Sequence, residues 1–419
     1  GPVKPLIQVI ALSALSVLLP TLVTAESTPH DHINLLRSET LTYAEVFEGA
    51  LNKAPEAITR QSREQQALAY QGLAKSWTAG SPRLSLNYLG DNLFDNNGLQ
   101  ELEADIEWQL KSTQGRRSSQ KLGQSYQREF AAWQDYLQLL ISGRVRTALA
   151  DIHQTEMLVN KAEDAREEAR KLVDIAQRRL QAGDASRDAL LQAQTLLLAK
   201  ERSLLEANAE QVDAQRNYVN ITGLSTRPAL DYREEQSALE EIGPDHPVLR
   251  FLQGALDIAS DQITQTKEEA RGHPSLNLGL KRLRGERSED YNDALVLGFS
   301  VPFGTSAYAS AQTSDARRNL AEVQVQYQGT MRQLQQTLHE VEHELAVTQT
   351  AIKLSREQVS LNRQRSKMAH KAFELGEITM TRVVQILQQQ QLADTEHQLL
   401  QLKQQRLIGE FNQSVGVLP

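Results

Sequence analysis

The sequence predicts a mainly α-helical protein with a small β part, built from two copies of one structural unit. Three observations carry this prediction: an internal repeat close to half the chain long, two long stretches without proline, and four short segments in which apolar and polar residues alternate. Together they predict tandem-duplicated, long helix hairpins of coiled-coil type, each accompanied by a β-hairpin.

The internal repeat is clearest where residues 178–224 align with residues 371–417, an offset of 193 because 371 − 178 = 193. Glycine occupies equivalent places in the two copies, Gly183 with Gly376 and Gly223 with Gly416. Glycine takes the left-handed conformation past a helix C-terminus without a steric penalty. Each copy is therefore predicted to hold the end of one helix, a tight turn at the first glycine, and a second long helix closed by the second glycine.

The composition of the 419 residues excludes several classes of protein. The net charge of −8 does not provide the basic face that nucleic-acid binding requires. The chain has no cysteine, so disulfides, thiolate metal sites and cysteine nucleophiles are excluded. Aromatic residues make up only 5% of the chain, which is typical of long packed helices that bury narrow apolar stripes.

Residues 1–25 have the pattern of an export signal. Lys4 supplies a positive charge, residues 6–22 are largely apolar, and the small residues before Glu26 suit cleavage. The alternative is a membrane anchor, but the apolar stretch is short and is interrupted by Pro20. We therefore predict a signal peptide at residues 1–25 that is removed on export.

Alternation of apolar and polar residues predicts two β-hairpins, at residues 82–110 and 274–303. The second strand of the first hairpin shows the pattern best, with an apolar set (Ala104, Ile106, Trp108 and Leu110) and an intervening acidic set (Glu103, Asp105 and Glu107). Strands of about ten residues with one apolar side match the weak signature of a transmembrane barrel. Four strands cannot close a barrel, so other copies of the chain would have to complete it. The alternative is a soluble sheet that caps the helices.

The positions of proline locate the helices. None lies between Pro82 and Pro228 or between Pro302 and Pro419, and proline interrupts helix interiors. The sequence therefore predicts long helices at 113–181 and 305–375 and return helices at 184–222 and 377–415. At about 1.5 Å per residue each long helix would reach about 100 Å. The chain divides into a first repeat (26–224), an equatorial linker (225–245) and a second repeat (246–419).

The order of these elements resembles the TolC-like outer-membrane efflux factors, over essentially the whole chain after residue 25. The resemblance is carried by segments of the turns and repeat-opening helices: APEA at 54–57, HPVLR at 246–250, QAGDASRDALLQAQ at 181–194 and LGEITMTRVVQIL at 375–387. Segments in and beside the hairpins are most similar to the heavy-metal (CzcC/CusC-like) branch: EWQLKSTQGRR at 107–117, HPSLNLGLKR at 273–282 and ALVLGFSVPF at 294–303.

The resemblance implies a homotrimer, in which twelve strands form a transmembrane β-barrel in outer-membrane lipid and the helices continue as an α-barrel in the periplasm. It implies a passive exit duct, with no enzymatic activity and no cofactor, in a tripartite efflux pump. The implied partners are a periplasmic adaptor protein and an inner-membrane RND transporter. Heavy-metal cations are the implied cargo, with drug efflux or type I secretion as alternatives. An exported helical scaffold or adhesin is the alternative from a different class.

The resemblance also points to three sets of candidate residues. The hairpin tips would dock the adaptor through Gly183, Ala185, Gly376 and Ile378. A periplasmic gate would involve Asp188, Arg382 and Gln385. Tunnels of this family often carry acidic residues six and nine positions after the second turn glycine, where this chain has arginine and glutamine. The barrel lumen would hold an acidic stripe of Glu103, Asp105 and Glu107.

Two histidine motifs suggest metal binding. Residues 339–343 read HEVEH, which on a helix can place two zinc ligands and a general base on one face. A zinc metallohydrolase is therefore a further alternative, although no third ligand follows and a coiled coil offers no cleft, so a solvated helix face is the favoured interpretation. His30, Asp31 and His32 are interpreted in the same way, as part of a polar N-terminal segment.

Overall fold

A computed structural model describes residues 35–304 and 307–419. The predicted signal peptide and the motif of His30, Asp31 and His32 lie outside the described residues. The first half contains β1 (Leu36–Ser38), α1 (Tyr43–Lys53), a 3₁₀ turn (Pro55–Ile58), α2 (Thr59–Lys75), β2 (Arg83–Gly90), β3 (Gln100–Gln109), α3 (Thr113–Gln181) and α4 (Arg187–Thr222). The second half contains β4 (Thr226–Pro228), α5 (Pro247–Ala270), β5 (Ser275–Arg284), β6 (Asn292–Ser300), α6 (Ala307–Glu374) and α7 (Met380–Val415).

The two long helices, α3 and α6, have 69 and 68 residues. Each is therefore about 100 Å long at 1.5 Å per residue. At the start of α3 the Ser112 hydroxyl accepts a hydrogen bond from the Gly115 amide at 2.9 Å, which satisfies one of the free donors of the first turn. In the part of the chain that the structure describes, no helix has the length and apolar character needed to cross a membrane.

Both long helices end in the turns that the glycines predict. Gly183 and Gly376 have φ angles of 80° and 77°, and the amide after each glycine bonds to a carbonyl five residues earlier, as in a Schellman motif. The return helices begin at Arg187 and Met380, three residues later than predicted. Ser186 and Thr379 are their N-caps and have extended backbone angles, so the helices cannot begin before them.

The helices pack side by side as one layer. Near the turns α4 packs on α3, α3 on α7 and α7 on α6, with further contacts between α4 and α7, and near the strands the order is α2, α3, α5, α6. The packing of α6 follows a heptad repeat, with buried residues three and four apart: Leu338, Val341, Leu345, Thr348, Ile352, Ser355 and Val359. Such spacing is that of a coiled coil. One core cluster lies around Trp133, Leu137 and Tyr218 midway along the layer, and a second around Leu172, Phe373 and Val383 at the turns.

The strands form two sheets. β1 and β4 make a short parallel pair, and β2, β3, β5 and β6 make a four-stranded antiparallel sheet in that order. The central pair, β3 and β5, joins the two halves of the chain, with Glu103 opposite Lys281 and Ile106 opposite Leu278. β2 and β6 are the two edges. The predicted fold class, mainly α with a small β part, is confirmed, and the four strands of one chain leave the sheet open.

Candidate functional site

The four-stranded sheet has one apolar face that lies in the open. Its side chains come from alternate positions of all four strands, and the register aligns them across the sheet. The exposed members of this apolar face are Leu84, Leu86, Tyr88, Leu102, Ile106, Leu276, Leu278, Leu280, Leu295, Leu297 and Phe299. Leu280 and Leu297 expose 68% and 70% of their surface. A contiguous patch of this size is unusual on a soluble monomer and marks a surface that contacts lipid or another protein.

The opposite face is polar and carries the predicted acidic stripe. Glu103, Asp105 and Glu107 all lie on it, together with Glu101 two residues before them. The same face also holds two basic residues, since Arg83 of β2 lies opposite Glu107 and Lys281 of β5 lies opposite Glu103. Lys281 forms an ion pair with Glu101. The negative charge of the polar face is therefore partly compensated, with four carboxylates and two basic groups per chain.

Asp105 is the most buried member of the stripe, with 6% of its surface exposed. Its carboxylate lies across β5 at Gly279, where a Cβ atom would come within 2.0 Å of the Asp105 Oδ1. This Oδ1 atom has no hydrogen-bond partner among the residues that the structure describes. Glycine at position 279 is thus needed because the carboxylate of the neighbouring strand occupies the side-chain space.

Alternation within each strand found the acidic stripe, but it did not find Arg83, Glu101, Lys281 or Gly279. Arg83 and Lys281 occupy polar-face positions that the alternation alone could have shown. Their proximity to particular acids depends on the register between β3 and β5, which are joined through more than 160 residues of helix and linker. Register between such distant strands cannot be deduced from either strand alone.

The two hairpin tips are held together by Arg179. Its Nη1 donates to the Phe373 carbonyl oxygen at 2.8 Å, and its Nη2 donates to the Asp184 carbonyl oxygen at 3.1 Å. The guanidinium also lies 4.8 Å from the centre of the Phe373 ring, within the range of a cation–π contact. Arg179 therefore joins the turn of the first repeat to the last turn of α6, an interaction that the sequence analysis missed.

The predicted docking residues lie where the hairpins turn. Gly183 and Gly376 are at the ends of the tips, and a Cβ atom at Gly183 would meet no other atom within 4 Å. Ala185 is half-buried, and Ile378 packs against the core cluster at the turns. The open surface at the tips therefore includes the glycines and Leu375, which exposes 65% of its surface, together with the exposed acidic residues Asp184, Glu374 and Glu377.

The predicted gate residues take part in two separate sets of hydrogen bonds. Asp188 accepts from the Gln192 side-chain amide at 2.8 Å, and the Gln192 side-chain oxygen accepts from the Thr381 hydroxyl at 2.9 Å. This chain of bonds links α4 to α7 near the tips. Arg382 instead donates to Gln385 one turn further along α7, at 2.9 Å. All of these side chains except that of Gln192 are exposed.

A buried ion pair midway along the layer is a feature that the sequence analysis missed. Arg146 of α3 and Glu234 of the linker expose 7% and 10% of their side chains. The Arg146 Nε and Nη2 atoms donate to the two Glu234 carboxylate oxygens at 2.9 and 2.7 Å. The same guanidinium donates to Gln413 at 2.6 Å and to the Val417 carbonyl oxygen at 2.8 Å. The pair thus joins α3, the linker and the end of α7.

His246 holds the start of the second repeat to the end of the chain. Its Nδ1 accepts from the Val248 amide at 3.2 Å as an N-cap, and its Nε2 lies 3.0 Å from the Ser414 carbonyl oxygen. Burial lowers the pKa of His246 below its ordinary value, which favours the neutral ring that this pair of bonds requires. The ring also packs against Gly416, whose left-handed conformation lets the chain pass close to it.

The HEVEH motif lies on an open face of α6. His339 and His343 are both exposed, and the neighbouring Glu344 forms an ion pair with Lys403 at 3.0 Å. Among the residues that the structure describes, no group of three or more histidine or acidic side chains is arranged to hold a metal ion. The geometry therefore gives no support to the zinc metallohydrolase interpretation.

Comparison with solved structures identifies the fold. The chain superposes on CusC, which forms a transmembrane channel, with a TM-score of 0.73, 12% identity, and coverage of 89% of this chain and 92% of that chain. It superposes on the outer membrane protein VceC of Vibrio cholerae with a TM-score of 0.71 and 15% identity, over 90% and 96% of the two chains. It superposes on the Campylobacter jejuni CmeC outer membrane channel with a TM-score of 0.70 and 14% identity, over 89% of this chain and 85% of that chain.

No family model matches the sequence, and no curated protein matches it either. The superpositions on solved structures show that the chain has the fold of outer-membrane channel proteins. The fold implied by the resemblance to the TolC-like family is thus confirmed. The likeness extends over both repeats, since it covers about nine-tenths of this chain and of the channel chains.

Proposed function

We propose that this protein is the outer-membrane exit duct of a tripartite efflux pump. The observation that carries the proposal is the two-faced sheet, apolar and open on one side and polar on the other, at the end of helices about 100 Å long. An apolar face of this kind suits the hydrocarbon of a bilayer, and a polar opposite face suits a water-filled lumen. The helices then lie in the periplasm and extend the water-filled lumen toward the inner membrane.

The two edges of the sheet support a trimer. β2 and β6 each present a row of unpaired backbone groups, which are costly in lipid unless another strand covers them. Three copies would supply twelve strands, with β6 of one copy beside β2 of the next, and would close the barrel. The two repeats, 26–224 and 246–419, and the equatorial linker, 225–245, would then recur three times around the axis.

The proposed partners follow from the architecture. A duct of this kind conducts passively, so an inner-membrane RND transporter would supply the energy and a periplasmic adaptor would join the transporter to the helix tips. Heavy-metal cations are the proposed cargo. The support for this finer statement is the excess of carboxylates on the polar face and the resemblance of the hairpin sequences to the heavy-metal branch.

Planar-bilayer conductance tests the duct and the stripe together. The purified protein should insert as a trimer, verified by native mass, and should conduct cations in preference to anions. Replacing Glu103, Asp105 and Glu107 by the corresponding amides removes nine carboxylates per trimer, three from each copy. We expect this variant to keep its assembly and lose the cation preference, because a ring of charge sets the local concentration of permeating ions.

Two outcomes would contradict these proposals. A stable membrane-inserted monomer would end the duct hypothesis. An unchanged ion selectivity in the triple amide variant would show that the acidic stripe only solvates the lumen and does not set its ion preference. A matched control is Arg83→Gln, which removes a positive charge from the same face and should strengthen the cation preference.

The tip glycines provide a test of adaptor docking. If helical tips of the adaptor meet the turns end to end, Gly376→Trp should abolish efflux and adaptor crosslinking while the trimer inserts normally. Gly376→Asn is the control, because asparagine tolerates the left-handed conformation and is small. It should lose at most about 1 kcal/mol of local stability and keep efflux. Normal efflux through an inserted Gly376→Trp trimer would show that the glycine is only a helix cap.

A further inference from the structure

The apolar face of the four-stranded sheet ends in two arginines. Along β5 this face holds Leu276, Leu278 and Leu280, and the same alternation then brings Arg282 and Arg284 to it. Both arginines lie at the loop end of the sheet, where β2 is joined to β3 and β5 to β6. Because a charged group is costly in hydrocarbon, arginines on a face that suits lipid indicate where the hydrocarbon ends.

Aromatic side chains lie near both ends of the same face. Trp108 lies in the row of Leu276 at the end next to the helices, and Tyr88 lies in the row of Arg282 at the loop end. Aromatic girdles of this kind mark the two interfaces of a membrane barrel. Since 284 − 276 = 8, Arg284 is eight residues beyond Leu276, or about 20 Å across the membrane for a strand tilted by about 40°. Arg284 therefore lies close to the level of the lipid head groups.

Tyr291 fixes both guanidinium groups at this level. The centre of its ring lies 5.6 Å from the Arg282 Cζ atom and 4.7 Å from that of Arg284, within the range of cation–π contacts. The Tyr291 hydroxyl donates to the Gln100 side-chain oxygen, and the Arg284 Nε donates to the Gly98 carbonyl oxygen at 3.0 Å. The two charges are therefore held in place before any ligand binds, so little side-chain freedom is lost on binding.

The two guanidinium groups differ in what they bind. The Arg282 Nε and Nη2 atoms donate to the two Asp293 carboxylate oxygens at 2.8 and 3.1 Å. Arg284 forms no ion pair among the residues that the structure describes, and its one hydrogen bond there is the one from Nε. Its two terminal nitrogens are therefore left to present the planar fork that binds phosphate oxygens.

The loops beside the two arginines are acidic. Asp91 accepts from the Asn97 and Gly98 amides and Glu289 accepts from the Gly285 amide, so these two carboxylates hold the turns. A free anion from solution has to pass the exposed acids of the loops, which repel it. A lipid beside the apolar face reaches Arg284 from the membrane at a high local concentration. The exposed loop acids are Asp95, Glu286 and Asp290.

We propose that Arg284, with Arg282 and Tyr291, binds the phosphate of a phosphorylated lipid whose acyl chains lie along the apolar face. The inference rests on the proposed insertion of the sheet in an outer membrane and adds a lipid site to it. The loop end of the sheet is the end away from the periplasmic helices, so the site belongs to the outer leaflet. A trimer would carry three such sites, which would fix the depth of the barrel in the membrane.

Retention of one class of lipid by the purified trimer tests the site. Native mass measurement in detergent with added lipid A, a phosphorylated glycolipid, should show up to three bound molecules per trimer, one for each copy. The same glycolipid without its phosphates should bind more weakly by about tenfold or more, the factor that corresponds to one hydrogen bond to a charged group. Arg284→Gln should weaken the retention of lipid A by a similar factor.

Two further variants show whether the position and shape of the charge matter. Lys281→Gln is the matched control, because it removes one positive charge from the same strand but from the polar face. It should retain lipid A as the unmodified protein does. Arg284→Lys keeps the charge and loses the planar fork, so it should bind lipid A with intermediate affinity. This variant also keeps the test decisive if Arg284→Gln prevents the trimer from forming.

The outcomes separate the site from the duct. A trimer that retains the dephosphorylated lipid equally well, or that loses lipid A to the same extent with Lys281→Gln as with Arg284→Gln, would overturn the site and leave the duct hypothesis standing. Complete displacement of lipid A by inorganic phosphate would show that the arginines take a free anion, and would overturn the assignment to lipid. A protein that forms no membrane-inserted trimer would overturn the duct and the lipid site together.

Discussion

Replacing Arg146 by methionine is expected to lower the free energy of unfolding of the middle of the layer by about 3–5 kcal/mol, the usual cost of breaking one side of a buried ion pair. The substitution leaves the Glu234 carboxylate, 10% exposed, without its main partner. It also removes the bonds of the guanidinium to Gln413 and to the Val417 carbonyl oxygen. The linker and the end of α7 should therefore detach together.

Two controls identify the cause of that loss. Arg146→Met combined with Glu234→Met removes both charges and should recover much of the stability, because an apolar pair of similar volume is often neutral. Arg144→Met lies two residues earlier on α3 and breaks an ion pair with Glu56 whose members expose 41% and 35% of their side chains. That variant should cost less than about 1 kcal/mol.

Urea titration followed by helical circular dichroism would rank the variants, and amide hydrogen exchange would locate the effect. We expect Arg146→Met to raise exchange at the end of α7 and in the linker, while the tips stay protected. If exchange rose equally at the tips, or if the double variant were no more stable than the single one, the pair would not be acting as a local clamp.

Periodicity and glycine positions were sufficient to predict most of the elements. The absence of proline and the turn at Gly183 place α3 at its observed bounds, because a long helix depends mainly on local sequence. The return helices begin later than predicted because Ser186 and Thr379 are N-caps with extended backbone angles, and the positions of glycine and proline do not locate such caps. Two-residue alternation gave the two faces of the sheet correctly, since the face of a residue depends only on its own strand.

What the sequence could not supply is which distant residues meet. The pairing of β3 with β5, and with it the position of Lys281 beside the acids, depends on tertiary packing. The ion pair of Arg146 with Glu234 joins residues 88 positions apart and has no motif.

The two faces of the sheet also allow the sharpest test of orientation in a membrane. Leu297 lies midway along the edge strand β6, on the apolar face, and the adjacent Val296 lies on the polar face opposite Gly279. An arginine on the lipid side near the midplane of a barrel costs about 2–4 kcal/mol. Three copies of Leu297→Arg would therefore cost roughly 6–12 kcal/mol in one trimer, so this variant should fail to insert.

Val296→Arg introduces the same side chain one residue away and should behave differently. Its guanidinium would point into the lumen, above the glycine at position 279 and close to the Asp105 carboxylate. We expect Val296→Arg to insert as a trimer and to reduce the cation preference of the channel, because it adds three positive charges to the stripe. Membrane fractionation and bilayer conductance of the two variants measure both effects. If Leu297→Arg inserts and Val296→Arg does not, the apolar face lines the interior and the proposed orientation of the sheet is wrong.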